Sequence, residues 1–204
     1  MTAPTEERKA SPVEAFLFSQ MGYIRDNGSA RAALRRGLRN TDDLTVNPIA
    51  YREFPANLRG NGYPSRYELA ARDTLCLYAS MAPGGKDTHD PSQGNLGATL
   101  QRVALERGHM PSEDTYTIRL HNRLVSARSR SAVISAVSDI ANAAARYKVG
   151  INYVKLFTSL AKSYGSAAES MEAASQWGSE YAHVKKANNG QKPAEEDGGT
   201  AGAQ

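Results

Sequence analysis

The stretch 133-VISAVSDIANAA-144 decides the fold class. Its apolar residues Val133, Ile134, Val137, Ile140, Ala141 and Ala144 recur at the spacing of one face of an α-helix, and no alternation of period two competes with it. The same spacing extends to both sides. Downstream, Asn152 is placed to cap a helix bearing Leu156, Phe157, Leu160 and Tyr164, and residues 167–186 read as a last helix with Met171, Ala174, Tyr181 and Val184 inward. Upstream, Ile118, His121, Leu124 and Val125 form the inner face of a helix starting at Pro111-Ser112, with Glu113 and Asp114 in its first turn, where the helix dipole favours negative charge.

Leu96, Leu100, Val103 and Ala104 mark a further helix ended by Gly108, and Ser65 with Glu68 makes a capping box ahead of Tyr67, Ala71, Thr74, Leu75, Tyr78 and Met81. Val13, Phe16, Leu17, Met21 and Ile24 line the first helix. Asp26-Asn27-Gly28 stops it through left-handed backbone, and Ser29 caps the next, which carries Leu34 and Leu38. No segment sustains strand-like alternation. The expected fold is all-α, a compact helical bundle. The Gly- and Pro-rich loop at 83–94 suggests two small lobes, 11–108 and 109–187, between a flexible start (1–10) and a disordered acidic tail (188–204).

Catalytic readings fail on composition and spacing. Cys76 is the only cysteine, which excludes an intramolecular disulfide and a multi-cysteine zinc site. His89, His109, His121 and His183 lack metal-ligand spacing, and His121 falls on an apolar face, as expected of a satisfied, partly buried histidine. Gly84-Gly85-Lys86 lacks the first glycine, the hydroxyl residue and the preceding strand of a phosphate loop. The pairs Asp42-Asp43 and Glu113-Asp114 sit near helix starts, where dipole and capping support account for them. We expect no catalytic residue, metal, cofactor or small-molecule substrate. With no apolar run of membrane-spanning length and no signal-peptide pattern, the expected location is the cytoplasm.

What remains is arginine. Residues 25–162 hold 20 Lys and Arg against 12 Asp and Glu, and arginine greatly outnumbers lysine. Arg31, Arg35 and Arg39 are four apart on one helix stripe, with Arg36 beside them and no acid between residues 27 and 40. Residues 119–162 carry Arg119, Arg123, Arg128, Arg130, Arg146, Lys148, Lys155 and Lys162, with Asp139 the only acid. Arg119, Arg123 and Arg130 project within a narrow angle if one helix runs unbroken through them. Rows of one sign repel themselves, a cost that a phosphate backbone relieves and the planar guanidinium fork suits. A solvated basic surface is the other reading of the same rows. No stacking platform interleaves them, so the contact expected is to backbone, without base reading.

The order and spacing of several short elements resemble the CasB family, the small subunit of the type I-E CRISPR Cascade complex. They are Asp26-Asn27-Gly28-Ser29 followed by Leu34-Arg35-Arg36; Ile49-Ala50-Tyr51-Arg52; Asn95-Leu96-Gly97; the arginine-bearing stretch 119–127; and Ile151-Asn152-Tyr153 followed by Leu156. Tyr153 stands where the family usually has tryptophan, and the tail after Asn188 is extra. The resemblance covers roughly residues 13–186. It implies a non-catalytic helical protein, present in two copies among other Cascade subunits, that helps hold guide RNA, target strand and displaced strand. The alternative is a helical scaffold acting by protein contact alone, its basic rows docked on acidic neighbours.

Overall fold

The computed structural model describes residues 10–39, 47–82 and 85–182, the side chains of Arg39 and Asn47 excepted. The expected flexible start, the acidic tail, Asp42, Asp43, Gly84 and His183 lie outside the described residues, apart from Ala10 at the end of the start. Among the described residues the helices run α1 (Pro12–Asp26), α2 (Gly28–Arg39), α3 (Asn47–Ala50), α4 (Arg66–Met81), α5 (Leu96–Glu106), α6 (Thr115–Ser126), α7 (Arg130–Arg146), α8 (Tyr153–Ser163) and α9 (Ala167–Ala182), with a 3₁₀ turn at Ala56–Leu58. No strand occurs among these residues. One isolated parallel bridge joins His89 to Ile151, where the Asp90 amide donates to Ile151 at 3.0 Å and the Ile151 amide to Thr88 at 3.1 Å. The fold is all-α, as its periodicity requires.

Short polar side chains set where the helices begin. Ser65 and Glu68 form the expected reciprocal box, Asn152 accepts the Lys155 amide, and Ser129 accepts that of Ala132. Ser11 and Glu14 form a second box that opens α1. Two starts differ from expectation. Asp114 is the cap of α6, accepting from the Tyr116 amide, so the helix begins three residues later than Ser112. Between α1 and α2, Asn27 takes an extended backbone rather than a left-handed one, and its side chain, not that of Ser29, accepts the Ala30 amide.

α4 is the centre of the molecule, packed against α1, α2, α3, α7 and α8. Every residue from 70 to 79 is buried, so a single apolar stripe underestimates this helix. α5, grouped by sequence with the N-terminal half, packs against α6, α7 and α9. A single buried cluster runs from Phe16 through Leu75, Leu100, Ile140 and Leu160 to Trp177 and Tyr181. Tyr153 is buried in it, its hydroxyl 3.1 Å from Thr88 Oγ1.

The Asn95-Leu96-Gly97 element acquires a physical reason at the contact of α5 with α9. Asn95 donates through its side chain to the Gln176 carbonyl at 3.0 Å, and its amide donates to Glu180 at 2.7 Å. A β-carbon on Gly97 would sit 2.0 Å from the Trp177 carbonyl oxygen and 2.9 Å from the Tyr181 amide nitrogen. Both obstacles are backbone, so no rotamer relieves them. Gly97→Ala is therefore expected to cost at least the overpacking range of about 1–3 kcal/mol, read as a loss in urea-unfolding stability. Unchanged stability would mean that α5 and α9 are free to separate.

Candidate nucleic-acid interface

Two arginines of the α2 row are consumed inside the protein. Arg31 donates to the carbonyls of Ile24 and Arg25, at 3.2 and 2.7 Å, where α1 ends. Arg35 donates to those of Ala79 and Ala82, at 2.8 and 3.5 Å, where α4 ends. A helix terminus leaves its last carbonyls unpaired, and these guanidinium groups satisfy them. Arg36 is exposed and has no ion pair or hydrogen bond among the described residues. It borders an open groove of about 450 Å³ between α2, α4 and α7, with Leu38, Leu77 and Met81 and with Ser138 and Asn142 of α7. The side chain of Arg39 lies outside the described residues.

The second row is not continuous. α6 stops at Ser126 and Ala127 is extended, so Arg130 begins a new helix and does not project with Arg119 and Arg123. Instead Arg130 turns inward as a fork on Asp73, with Nε at 2.8 Å and Nη2 at 2.7 Å from the two carboxylate oxygens. Tyr164 donates to the same carboxylate at 2.9 Å, and Arg72 lies 3.4 Å away. Burial first, then the adjacent carboxylate, pushes the Tyr164 hydroxyl well above its ordinary range and keeps it a donor. Arg123 pairs with Asp139 and donates to Ser135 at 2.7 Å, tying α6 to α7. Arg128 is exposed and donates to the carbonyls of Val125 and Ala127, at 2.7 and 3.1 Å.

Arg119 is exposed and unpaired among the described residues. The three-residue link between α6 and α7, with Arg123 on Ser135 and Asp139, makes the two helices antiparallel neighbours. One turn before Arg123, Arg119 therefore lies toward the end of α7. Arg146 and Lys148 are exposed at that end, the first with its guanidinium 5.7 Å from the Tyr147 ring centre. The outer face of α7 thus presents Ser135, Ser138 and Asn142, neutral and polar. Arg36 stands on one side, Arg119 and Arg123 on the other, Arg146 and Lys148 at the end. Its one acid, Asp139, is already neutralised by Arg123.

Nothing in this arrangement performs acid-base or nucleophilic chemistry. Among the described residues no three His, Cys, Asp or Glu side chains are grouped to hold a metal. Cys76 is buried and outside any disulfide. His121 departs from the expected satisfied histidine: it stacks on Tyr181 with ring centres 4.5 Å apart, and its buried Nε2 has no partner. Burial lowers its pKa, so it sits neutral against the ring. Two features escaped the sequence. One is the buried charge cluster on α4. The other is a group of Arg107, Tyr116 and Tyr147, gathered from three helices and their flanks.

No helix among the described residues is long and apolar enough to cross a membrane. No curated protein sequence matches the chain. The crystal structure of CasB from Thermobifida fusca is similar in fold, with a TM-score of 0.61 over 85% of this chain and 99% of that one, at 19% sequence identity. The sequence model described as CRISPR-associated protein Cse2 matches residues 30–181. A match of that extent, on an all-helical chain with a charged outer face, places this protein in a family: it belongs to the Cse2 family of CRISPR-associated proteins, non-catalytic subunits of the Cascade complex of type I-E CRISPR defence.

Proposed function

We propose that this subunit grips nucleic-acid backbone along the outer face of α7, and so stabilises the R-loop formed by guide RNA and target DNA, the displaced strand included. The observation that carries this reading is that Arg36, Arg119, Arg146 and Lys148 surround a neutral polar helix face and have no carboxylate partner among the described residues. Exchange of a DNA duplex for an RNA–DNA hybrid is nearly balanced, so modest contact to a strand tips it. Arginine and lysine on a polar face, without base-edge readers, suit a grip that ignores sequence. Arg31, Arg35, Arg123 and Arg130 hold the frame, and Arg128 contributes an exposed cation beside it. A second copy of the chain and the other Cascade subunits complete the surface that the strands follow, in the cytoplasm.

Photo-crosslinking in the assembled complex separates this reading from a scaffold. With a photoreactive residue at Ser135 or Asn142, adducts to nucleic acid are expected. Adducts to neighbouring protein alone would assign the face to subunit contact instead.

A further inference from the structure

We infer that the corner where α5, α6 and α7 meet stacks an unpaired DNA base on Tyr116, while Arg146 and Lys148 hold the flanking phosphates. The inference rests on the backbone-binding reading and adds base contact to it.

Three observations meet at this corner. The first is a preassembled aromatic and cationic cluster. Arg107 donates to Asp114 at 3.0 Å and to the Tyr147 hydroxyl at 2.5 Å. Its guanidinium lies 4.7 Å from the Tyr116 ring centre and 5.3 Å from that of Tyr147. The rings are thereby held in place, while Tyr116 stays 36% exposed. A ring fixed before the ligand arrives loses little freedom on stacking, and a base offers it a face whatever its sequence.

The second is exposed apolar surface. Leu105 is 40% and Met110 47% exposed, so three large apolar side chains fall open to solvent within twelve residues, all at the end of α5 and the start of α6. Apolar surface beside cations fits a strand whose bases and phosphates present both characters. Duplex DNA has its base faces already stacked, so the occupant is unpaired.

The third is backbone strain. Lys148 follows the α7 cap residue Tyr147 with φ of +58°, the left-handed position that glycine favours at a helix end. The amides of Lys148 and Val149 donate to the carbonyls of Ala145 and Ala144 at 3.3 and 2.8 Å, a helix cap that glycine would make with less strain, so what the lysine adds at this position is an exposed cation. The acids nearby do not cancel the charge: Glu106 is paired with Arg102 at 2.7 Å and Asp114 with Arg107, which leaves exposed Glu113. Tyr116, Arg119 and Arg123 lie at i, i+3 and i+7 on α6, so this corner continues the outer face of α7.

The test uses the full chain and three oligonucleotides of equal length: single-stranded DNA containing 2-aminopurine, the same backbone with abasic sites throughout, and RNA of the DNA sequence. Base-bearing DNA is expected to bind about tenfold more tightly than abasic DNA and to lose 2-aminopurine fluorescence. Tyr116→Leu should abolish that preference. Lys148→Gly should weaken binding of both DNA strands while raising the melting temperature, a pairing that a structural lysine cannot produce. Equal affinity for base-bearing and abasic DNA without quenching overturns the stacking inference and leaves the backbone reading standing. Binding to neither strand overturns both. Tighter binding of RNA than DNA overturns the assignment to a DNA strand, and a lower melting temperature for Lys148→Gly overturns the role given to strain.

Discussion

Asp73→Ala is expected to destabilise the protein by about 3–5 kcal/mol, because it removes a buried carboxylate on which two guanidinium groups and a hydroxyl converge. Asp73 and Arg72 are each only 2% exposed, at the middle of the helix that α1, α2 and α3 pack against. The Asp73 carboxylate accepts the two-pronged contact of Arg130 from α7 and the hydroxyl of Tyr164, which follows α8. Three segments far apart in the chain are thus tied through one side chain. Removing the acid takes the two-pronged acceptor from the half-buried Arg130 and the hydrogen-bond acceptor from Tyr164 in a medium that solvates polar groups poorly. Arg130→Met is a milder change, since Tyr164 and Arg72 still face the carboxylate and the methionine keeps volume. Urea unfolding of the two variants should rank them in that order. Equal losses would mean that Asp73 has no central place in the cluster.

Exchanging Arg36, Arg119, Arg146 and Lys148 together for alanine is expected to weaken single-stranded DNA binding by roughly three orders of magnitude at low salt, at about 1 kcal/mol per lost charge-assisted contact. Folding stability should hardly change, since each side chain is exposed and outside every ion pair described above. Arg31→Ala with Arg35→Ala should do the opposite. It leaves carbonyls at the ends of α1 and α4 unsatisfied and lowers the melting temperature, while affinity at equal folded concentration holds. The contrast separates arginines that hold the frame from arginines that face a partner, which are indistinguishable in sequence.

The contrast also marks how far sequence reasoning reached. Periodicity located the helices because one buried face leaves a local signature, and the caps at Ser65 and Asn152 were readable because their partners lie three residues away. Arginine counting located the charge. It did not assign destinations: Arg130 finds Asp73 across 57 positions, and Arg35 reaches Ala79 across 44. The break at residues 127–129 was also hidden, since the arginine spacing from 119 to 130 fits one continuous helix. The sequence showed no stacking platform for a related reason. Tyr116 and Tyr147 stand 31 residues apart and meet only through Arg107. Local chemistry is legible one residue at a time, whereas a site assembled from three helices needs their packing.

The salt dependence of binding tests the grip most directly. Each phosphate contact to a single strand contributes about 0.7 to the slope of log affinity against log salt concentration. For single-stranded DNA of arbitrary sequence, the four-residue variant should show a slope about three shallower than the unaltered chain. An identical slope in the two proteins would contradict the account, because it would mean that none of the four cations meets a phosphate.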